Sequence, residues 1–344
     1  MTPLLTVRHL HKHYAVAGDR SHVRHAWHRL LWRHDASAPS SQGAWLHAVD
    51  DVSLTIAEGE SLGLVGESGC GKSTLARLIA RLIEPTGGSI VFNGKEIGAI
   101  PPGRFGRLPE RGQIQVVFQD AHDSLNPRFT AFNCVAEPLK RLAPLPSRHA
   151  LRVRVEELAK MVHLPVELLS RFPHQLSGGQ LARVNIARAI ALEPRLLILD
   201  EPTSALDVSV QARILQLLND LRRQLGMAYL FVSHDLNVVR LLCDRVMVMY
   251  LGKVVEIGPA KAVFNDPLHP YTHALISAIP SHRQKSRSKR VYLTGEPRSP
   301  IDPDPHVCRF DGRCPRSQAH CQQMMPMLEP HAPEREVACH FPLD

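Results

Sequence analysis

Two stretches of this chain set glycines directly ahead of a helical pattern, and each is suited to hold an anion. In the first, GESGCGKST from Gly66 to Thr74, the residues fit G-x-x-x-x-G-K-[ST] after the apolar run SLGLVG. Gly66, Gly69 and Gly71 let the backbone at Glu67, Ser68 and Cys70 curl its N–H groups around phosphates. Lys72 brings the charge that neutralises β and γ groups, and the Ser73 hydroxyl beside Thr74 can ligate Mg²⁺. The second stretch, HQLSGGQLARVNIARAI, places Ser177, Gly178, Gly179 and Gln180 before a helix with apolar or small residues at Leu181, Val184, Ala187 and Ile190. A helix N-terminus aims free N–H groups at negative charge, so this second loop is an anion site in search of an anion.

LLILDEP supplies carboxylates. Asp200, at the end of an apolar run, can hold a hydrated Mg²⁺, and Glu201 can orient or deprotonate an attacking water. Gln119 after VVF and His234 in FVSHD end two further apolar runs, from which they could reach the same γ-phosphate. For each of these two the plainer role, a bond to nearby backbone, carries equal weight. The chemistry is in-line attack of water on the γ-phosphorus, with charge stabilised by Lys72, Mg²⁺ and the loop amides.

These residues need strands that end together. SLGLVG, IQVVFQ, LLILDEP and AYLFVSHD are short apolar runs ending in polar residues, which suits buried parallel strands with functional groups at their carboxyl ends. HAVDDVSLTIAEGE, with Val52, Leu54 and Ile56 inward, and SIVFNGKEI alternate as antiparallel strands do. Residues 125–190 are helix-rich, with amphipathic spacing in LRVRVEELAKMVHL. RVMVMYLGKVVEIG is expected to form a hairpin turning at Gly252 and Lys253. The segment 21–35, with Val23, Trp27, Leu30 and Leu31 on one helical face, suits a membrane surface, a partner or its own domain.

The 344 residues suffice for one large domain and an appendage. No run approaches the ~18 apolar residues that span a bilayer, and the start lacks a secretory pattern, so a soluble chain in the cytoplasm is expected. The formal charge of +8 implies an acidic neighbour without choosing among nucleotide, nucleic acid and membrane. Part of the excess lies in the basic linker-like segment 281–290.

In order, the phosphate loop, Gln119, LSGGQ from Leu176 to Gln180, Asp200 with Glu201, SALD from Ser204 to Asp207, and His234 resemble the ATP-binding subunit of an ABC transporter over about residues 4–260. The resemblance implies an α/β P-loop NTPase fold with a RecA-like core, an antiparallel β subdomain, an inserted helical subdomain and a small C-terminal extension. It implies head-to-tail pairing, in which Ser177 and the amides near Gly178 and Gly179 meet the γ-phosphate of ATP held by the partner. It also implies that Tyr14 stacks on adenine, where a strand Tyr covering the core edge is the plainer role, and that Gln119 joins Ser73 and Asp200 around Mg²⁺. Gln119 and the following DAHDSLNPR would touch the membrane subunits.

FNDPLHPYTHALISAIP, LTGEPRSP, RCP and VAC resemble the C-terminal extension, residues 261–344, of ATPases serving oligopeptide, dipeptide and nickel importers. The implied assembly has a second ATPase subunit, a paralogue of this one, two transmembrane permeases and an extracytoplasmic substrate-binding protein. The chain would then be peripheral on the cytoplasmic face of the inner membrane, energising uptake of peptides or of nickel or a metal chelate. A soluble ATPase of the same superfamily acting on nucleic acid is the alternative; the absence of a long heptad coiled coil and of a second phosphate loop stands against it, so no nucleic acid is expected. Cys308, Cys314, Cys321 and Cys339 crowd the tail as C-x5-C-x6-C-x17-C, neither a zinc knuckle nor a ferredoxin run. Resemblance to members of this subfamily implies a [4Fe-4S] cluster on these four, with structural zinc or free thiols as alternatives. The sequence departs from the family's usual pattern at Leu181, Ala182 and Ala121, and in a long insertion at about 17–44.

Overall fold

Ser61–Val65, Leu196–Asp200 and Ala228–Val232 are buried at every residue, so these strands must lie in a sheet covered on both faces. The structure, a computed structural model, describes residues 3–16, 43–143, 145–279, 293 and 295–343. Along the chain the strands are β1 Leu5–Val16, β2 Ala44–Ile56, β3 Ser61–Val65, β4 Gly87–Phe92, β5 Lys95–Glu96, β6 Ile114–Val117, β7 Leu196–Asp200, β8 Ala228–Val232, β9 Arg245–Tyr250, β10 Lys253–Pro259, β11 Glu329–Ala332 and β12 Arg335–Val337.

The larger sheet has the order β11-β12-β10-β9-β3-β8-β7-β6. Its pairs from β9 to β6 are parallel, as the four apolar runs predict, while β10, β12 and β11 extend it antiparallel. Period-two alternation sends successive residues of β7 to opposite faces. Leu196 and Ile198 join the core that includes Leu75 and Leu78 of the helix Lys72–Ile79; Leu197 and Leu199 join the core beneath the helices Ala131–Leu142, Arg148–Met161 and Gly178–Ile190. Thr130, Ser147 and Ser177 cap those three helices by accepting a backbone N–H bond, each cap contributing about 1 kcal/mol.

The smaller sheet, β2-β1-β4-β5, is antiparallel throughout. Val52, Leu54 and Ile56 are buried in it, as the alternation requires. The β9–β10 hairpin corrects an expectation: its turn is Leu251–Gly252, because Lys253 already pairs with Tyr250. Both turn residues have positive φ, 42° and 82°, the left-handed pair that a tight two-residue hairpin demands.

The tail folds back on this frame. β12 pairs with β10, and Arg335 lies 2.9 Å from Glu256 Oε1. The same carboxylate accepts the Leu268 and His269 N–H groups at 3.0 and 2.9 Å, which is why a charge can be fully buried there. Residues 300–302 run along β2, with the His47 N–H donating to Pro300 O at 2.9 Å and the Asp302 N–H to Trp45 O at 2.8 Å. No helix among the described residues is long and apolar enough to cross a membrane. The expected surface helix at 21–35 and the basic segment 281–290 lie outside the described residues.

Candidate functional site

Register brings the chemistry together. Leu64 pairs with Val232, Asp200 with Val232, and Val117 with Leu199, so the loops after β3, β8, β7 and β6 leave one edge of the sheet side by side. Between them opens a cleft lined by Ser68, Gly69, Gly71, Lys72, Ser73 and Thr74 from the loop after β3. Gln119, Glu201 and His234 face it from the other three loops, and Tyr14 from β1. His47, Leu251 and Pro300 also line it; no residue type or spacing in the sequence singled these out.

The loop 66–74 has the backbone that its glycines permit. Gly66 and Gly71 have φ of 151° and 106°, and a Cβ on either would sit 2.2 Å from Met249 O or 2.1 Å from Ala48 O. No side chain fits at those positions. Lys72 is 6% exposed, and its Nζ donates to Gly66 O and Glu67 O at 2.8 Å each. The ammonium is thus held by the loop's own carbonyls, within its own cleft. Gly66, Glu67 and Cys70 lie behind the lining, and burial pushes the Cys70 thiol up despite Lys72 Nζ 3.7 Å away, so it stays neutral.

Ser73 Oγ donates to Asp200 Oδ1 at 3.1 Å. Asp200 is 5% exposed, and burial raises its carboxyl above the usual range, with the Ser73 bond opposing the shift. A buried carboxylate beside a hydroxyl is a hard-oxygen donor pair whose charge lacks a full partner, which fits Mg²⁺. Glu201 has φ of 49°, a left-handed conformation at a non-glycine residue, of the kind that clusters in functional sites. Its Oε2 accepts from Gln119 Nε2 at 3.2 Å and lies 3.1 Å from His234 Nδ1. Gln119 and His234 therefore meet the carboxylate rather than nearby backbone.

Ser177, Gly178, Gly179 and Gln180 are not part of this cleft. Ser177 Oγ accepts the Gln180 N–H at 3.4 Å, and Gln180 Oε1 accepts the Ser177 N–H at 2.9 Å, a reciprocal cap on the helix Gly178–Ile190. The N–H groups of Gly178 and Gly179, at the first two helical positions, have no acceptor within the helix. The glycines themselves serve packing. A Cβ on Gly179 would lie 2.7 Å from Val210 Cγ1, and one on Gly178 3.3 Å from Leu206 Cδ2. Leu181 and Ala182 are buried, so the apolar pair there faces the core.

In the tail, Cys308, Cys314, Cys321 and Cys339 all line one small cavity with Phe310 and Phe341. Burial pushes the thiols of Cys308, Cys314 and Cys339 up, the last to about 11. Among the described residues the one group of three candidate metal donors within 4.8 Å of one another is His11, His13 and Asp50. The histidine group is itself compromised as a metal site. Asp50 Oδ2 already meets Arg309 at 2.6 Å and Lys253 at 3.4 Å, and His11 Nδ1 accepts the Asp51 N–H at 3.3 Å.

Residues 49–204 match the family described as "ABC transporter", and residues 255–321 match "Oligopeptide/dipeptide transporter, C-terminal region". The chain is 47% identical over 287 residues to the oligopeptide transport ATP-binding protein OppF of Escherichia coli, covering 83% of this chain and 85% of that protein. It is 40% identical to a putative peptide import ATP-binding protein of Brucella ovis, covering 98% of each. A solved ATP-binding cassette, a dimer in a post-hydrolysis state bound to ADP and Pi, superposes with a TM-score of 0.62 at 29% identity, covering 74% of this chain and 98% of that one. The chain belongs to the ATP-binding proteins of the ABC transporter family and carries the C-terminal region of the oligopeptide/dipeptide transporters.

Proposed function

We propose that this chain hydrolyses ATP as one of two such subunits and thereby energises peptide uptake by a membrane importer. One observation carries the reading: Lys72, Ser73 with Asp200 bonded behind it, and the Glu201–Gln119–His234 group converge on one cleft, while the anion-ready loop 176–180 lies outside it. Lys72 would exchange its carbonyl partners for phosphate oxygens, and Tyr14 at the cleft wall would stack on the base. Ser73, Asp200 and Gln119 would hold Mg²⁺, which supplies charge neutralisation on the phosphates when bound. Glu201 would take a proton from the attacking water, and Gln119 and His234, already bonded to its carboxylate, would fix its direction. Ser177 and the free amides of Gly178 and Gly179 would complete the site of a second subunit, a pairing supported by the dimeric state of the solved cassette.

The relatives' names support a peptide as cargo, and the proposed assembly adds a paralogous ATPase, two permeases and an extracytoplasmic binding protein. The chain would then sit on the cytoplasmic face of the membrane. The test is extraction of the tagged chain from native membranes. Co-purified permeases and ATP hydrolysis stimulated by a peptide-loaded binding protein are expected. Stimulation by nickel or a metal chelate alone would reassign the cargo, and association with nucleic acid instead of permeases would sink the reading.

We further infer that the four tail cysteines hold a [4Fe-4S] cluster. Their convergence on one cavity supports it, since four thiolates are the ligand set of such a cluster. Anaerobically purified chain should be brown. Colourless protein with stoichiometric zinc would overturn the inference.

A further inference from the structure

The segment from Cys308 to Cys314 reaches the phosphate loop. One guanidinium nitrogen of Arg313 donates to Glu67 Oε2 at 2.9 Å and the other to Oε1 at 3.1 Å; the first also lies 3.1 Å from the Tyr250 hydroxyl. Two parallel bonds fix a carboxylate in direction as well as distance. The Arg313 side chain is 10% exposed and that of Glu67 33%, so solvent reaches the pair mainly from the carboxylate side.

Glu67 is the second residue of the loop, and both of its main-chain polar groups are engaged. Its N–H donates to the Tyr271 hydroxyl at 2.8 Å, and its carbonyl accepts from Lys72 Nζ at 2.8 Å. The side chain that Arg313 grips therefore belongs to the residue whose carbonyl places the Lys72 ammonium. Arg313 is itself fixed. Its N–H and that of Cys314 donate to Phe310 O at 3.2 and 3.0 Å, and the buried Phe310 ring packs on Tyr250 and Tyr271 with centroids 5.2 and 5.4 Å away. Arg309 makes a second tie of the same kind, 2.6 Å to Asp50, whose N–H donates to Gly252 O in the cleft wall at 2.9 Å.

We propose that Arg313 is a positioning residue for nucleotide binding: anchored in the cysteine-bearing loop, it holds Glu67, and through it Lys72, in the geometry that receives a triphosphate. This rests on the reading of residues 66–74 as the ATP loop. The tail is thereby coupled to the nucleotide site. Whatever fixes Cys308 and Cys314 biases nucleotide affinity, and by linkage nucleotide biases the packing of that loop equally.

The experiment compares the full-length chain with Arg313→Gln, Arg313→Lys, Glu67→Gln, the Arg313→Gln/Glu67→Gln double variant and Lys72→Ala. ATP affinity and the nucleotide-free unfolding midpoint are measured for each. Each single Gln variant should bind ATP about tenfold more weakly, and the double no more weakly than either. Arg313→Lys should fall between, because it keeps the charge and loses the fork. A purely structural role would lower the midpoint while the folded protein bound ATP as wild type does, and that result overturns the proposal. Fully additive losses in the double variant overturn it too, since the two residues would then act independently. If Lys72→Ala binds ATP at wild-type affinity, the ATP-loop reading itself fails. If Lys72→Ala loses affinity while Arg313→Gln and Glu67→Gln keep it, only the present proposal fails.

Discussion

The loops at 66–74 and 176–180 both set glycine before a helix, and they use it for opposite ends. At Gly66 and Gly71 the residue is needed for backbone shape: φ is positive, and any Cβ would strike a carbonyl oxygen. At Gly178 and Gly179 it is needed for distance, because the helix start lies against Leu206 and Val210. The first loop encloses a buried lysine and faces three side chains that can handle water and phosphate. The second ends in a neat cap and faces none of them. A single chain therefore has one enclosed phosphate loop and one helix start outside its cleft, the asymmetry that the proposed two-subunit site requires.

Substitutions can break that comparison. Glu201→Gln should have the largest effect, lowering turnover by about 10²- to 10⁴-fold while ATP still binds and accumulates a closed pair. Single-turnover hydrolysis at near wild-type rate would place water activation elsewhere. Ser177→Arg comes next. Hydrolysis by the paired protein should drop by about 10²- to 10³-fold, with the ATP affinity of the isolated chain unchanged. A large loss of affinity in the isolated chain would mean that the second loop serves its own cleft. Lys72→Ala should weaken ATP binding by about 10- to 100-fold, measurable by calorimetry, because a charge-assisted bond to phosphate is lost.

Much of the first loop's setting was legible in the sequence. Four apolar runs ending in Gly66, Gln119, Asp200 and His234 predicted parallel strands whose ends carry the chemistry, and β3, β6, β7 and β8 are those strands. Periodicity reports burial, and burial on both faces leaves a clear trace. Turn placement was less legible: Leu251 adopts φ of 42°, a conformation that a leucine does not advertise, so the β9–β10 turn sits one residue earlier than expected. Contacts across long separations left no trace at all. Glu67 and Arg313 are 246 positions apart, and no spacing links them. The role of Gly179 was hidden for the same reason, since its neighbour Val210 lies on a different helix.

Asp200 offers the subtlest way to sharpen the contrast between a finished site and an unmatched one. Burial holds its carboxyl above the ordinary range, so in the ligand-free chain the ionised form is disfavoured by folding. For an acid raised in this way the unfolded chain gives up its proton first as pH increases. Stability then falls between the unfolded and folded pKa values, and the deficit persists at neutral pH. Asp200→Asn removes the charge, and its amide oxygen can still accept from Ser73. The unfolding midpoint of the ligand-free variant should therefore exceed that of wild type at pH 7, and the difference should shrink as pH falls toward the ordinary carboxylate range. With Mg²⁺ and ATP present the order should reverse, because only the ionised carboxylate gains from the cation. A variant that is less stable than wild type without ligand, or stabilised equally with it, would show that Asp200 is a structural cap and not the carboxylate of a metal-bound nucleotide.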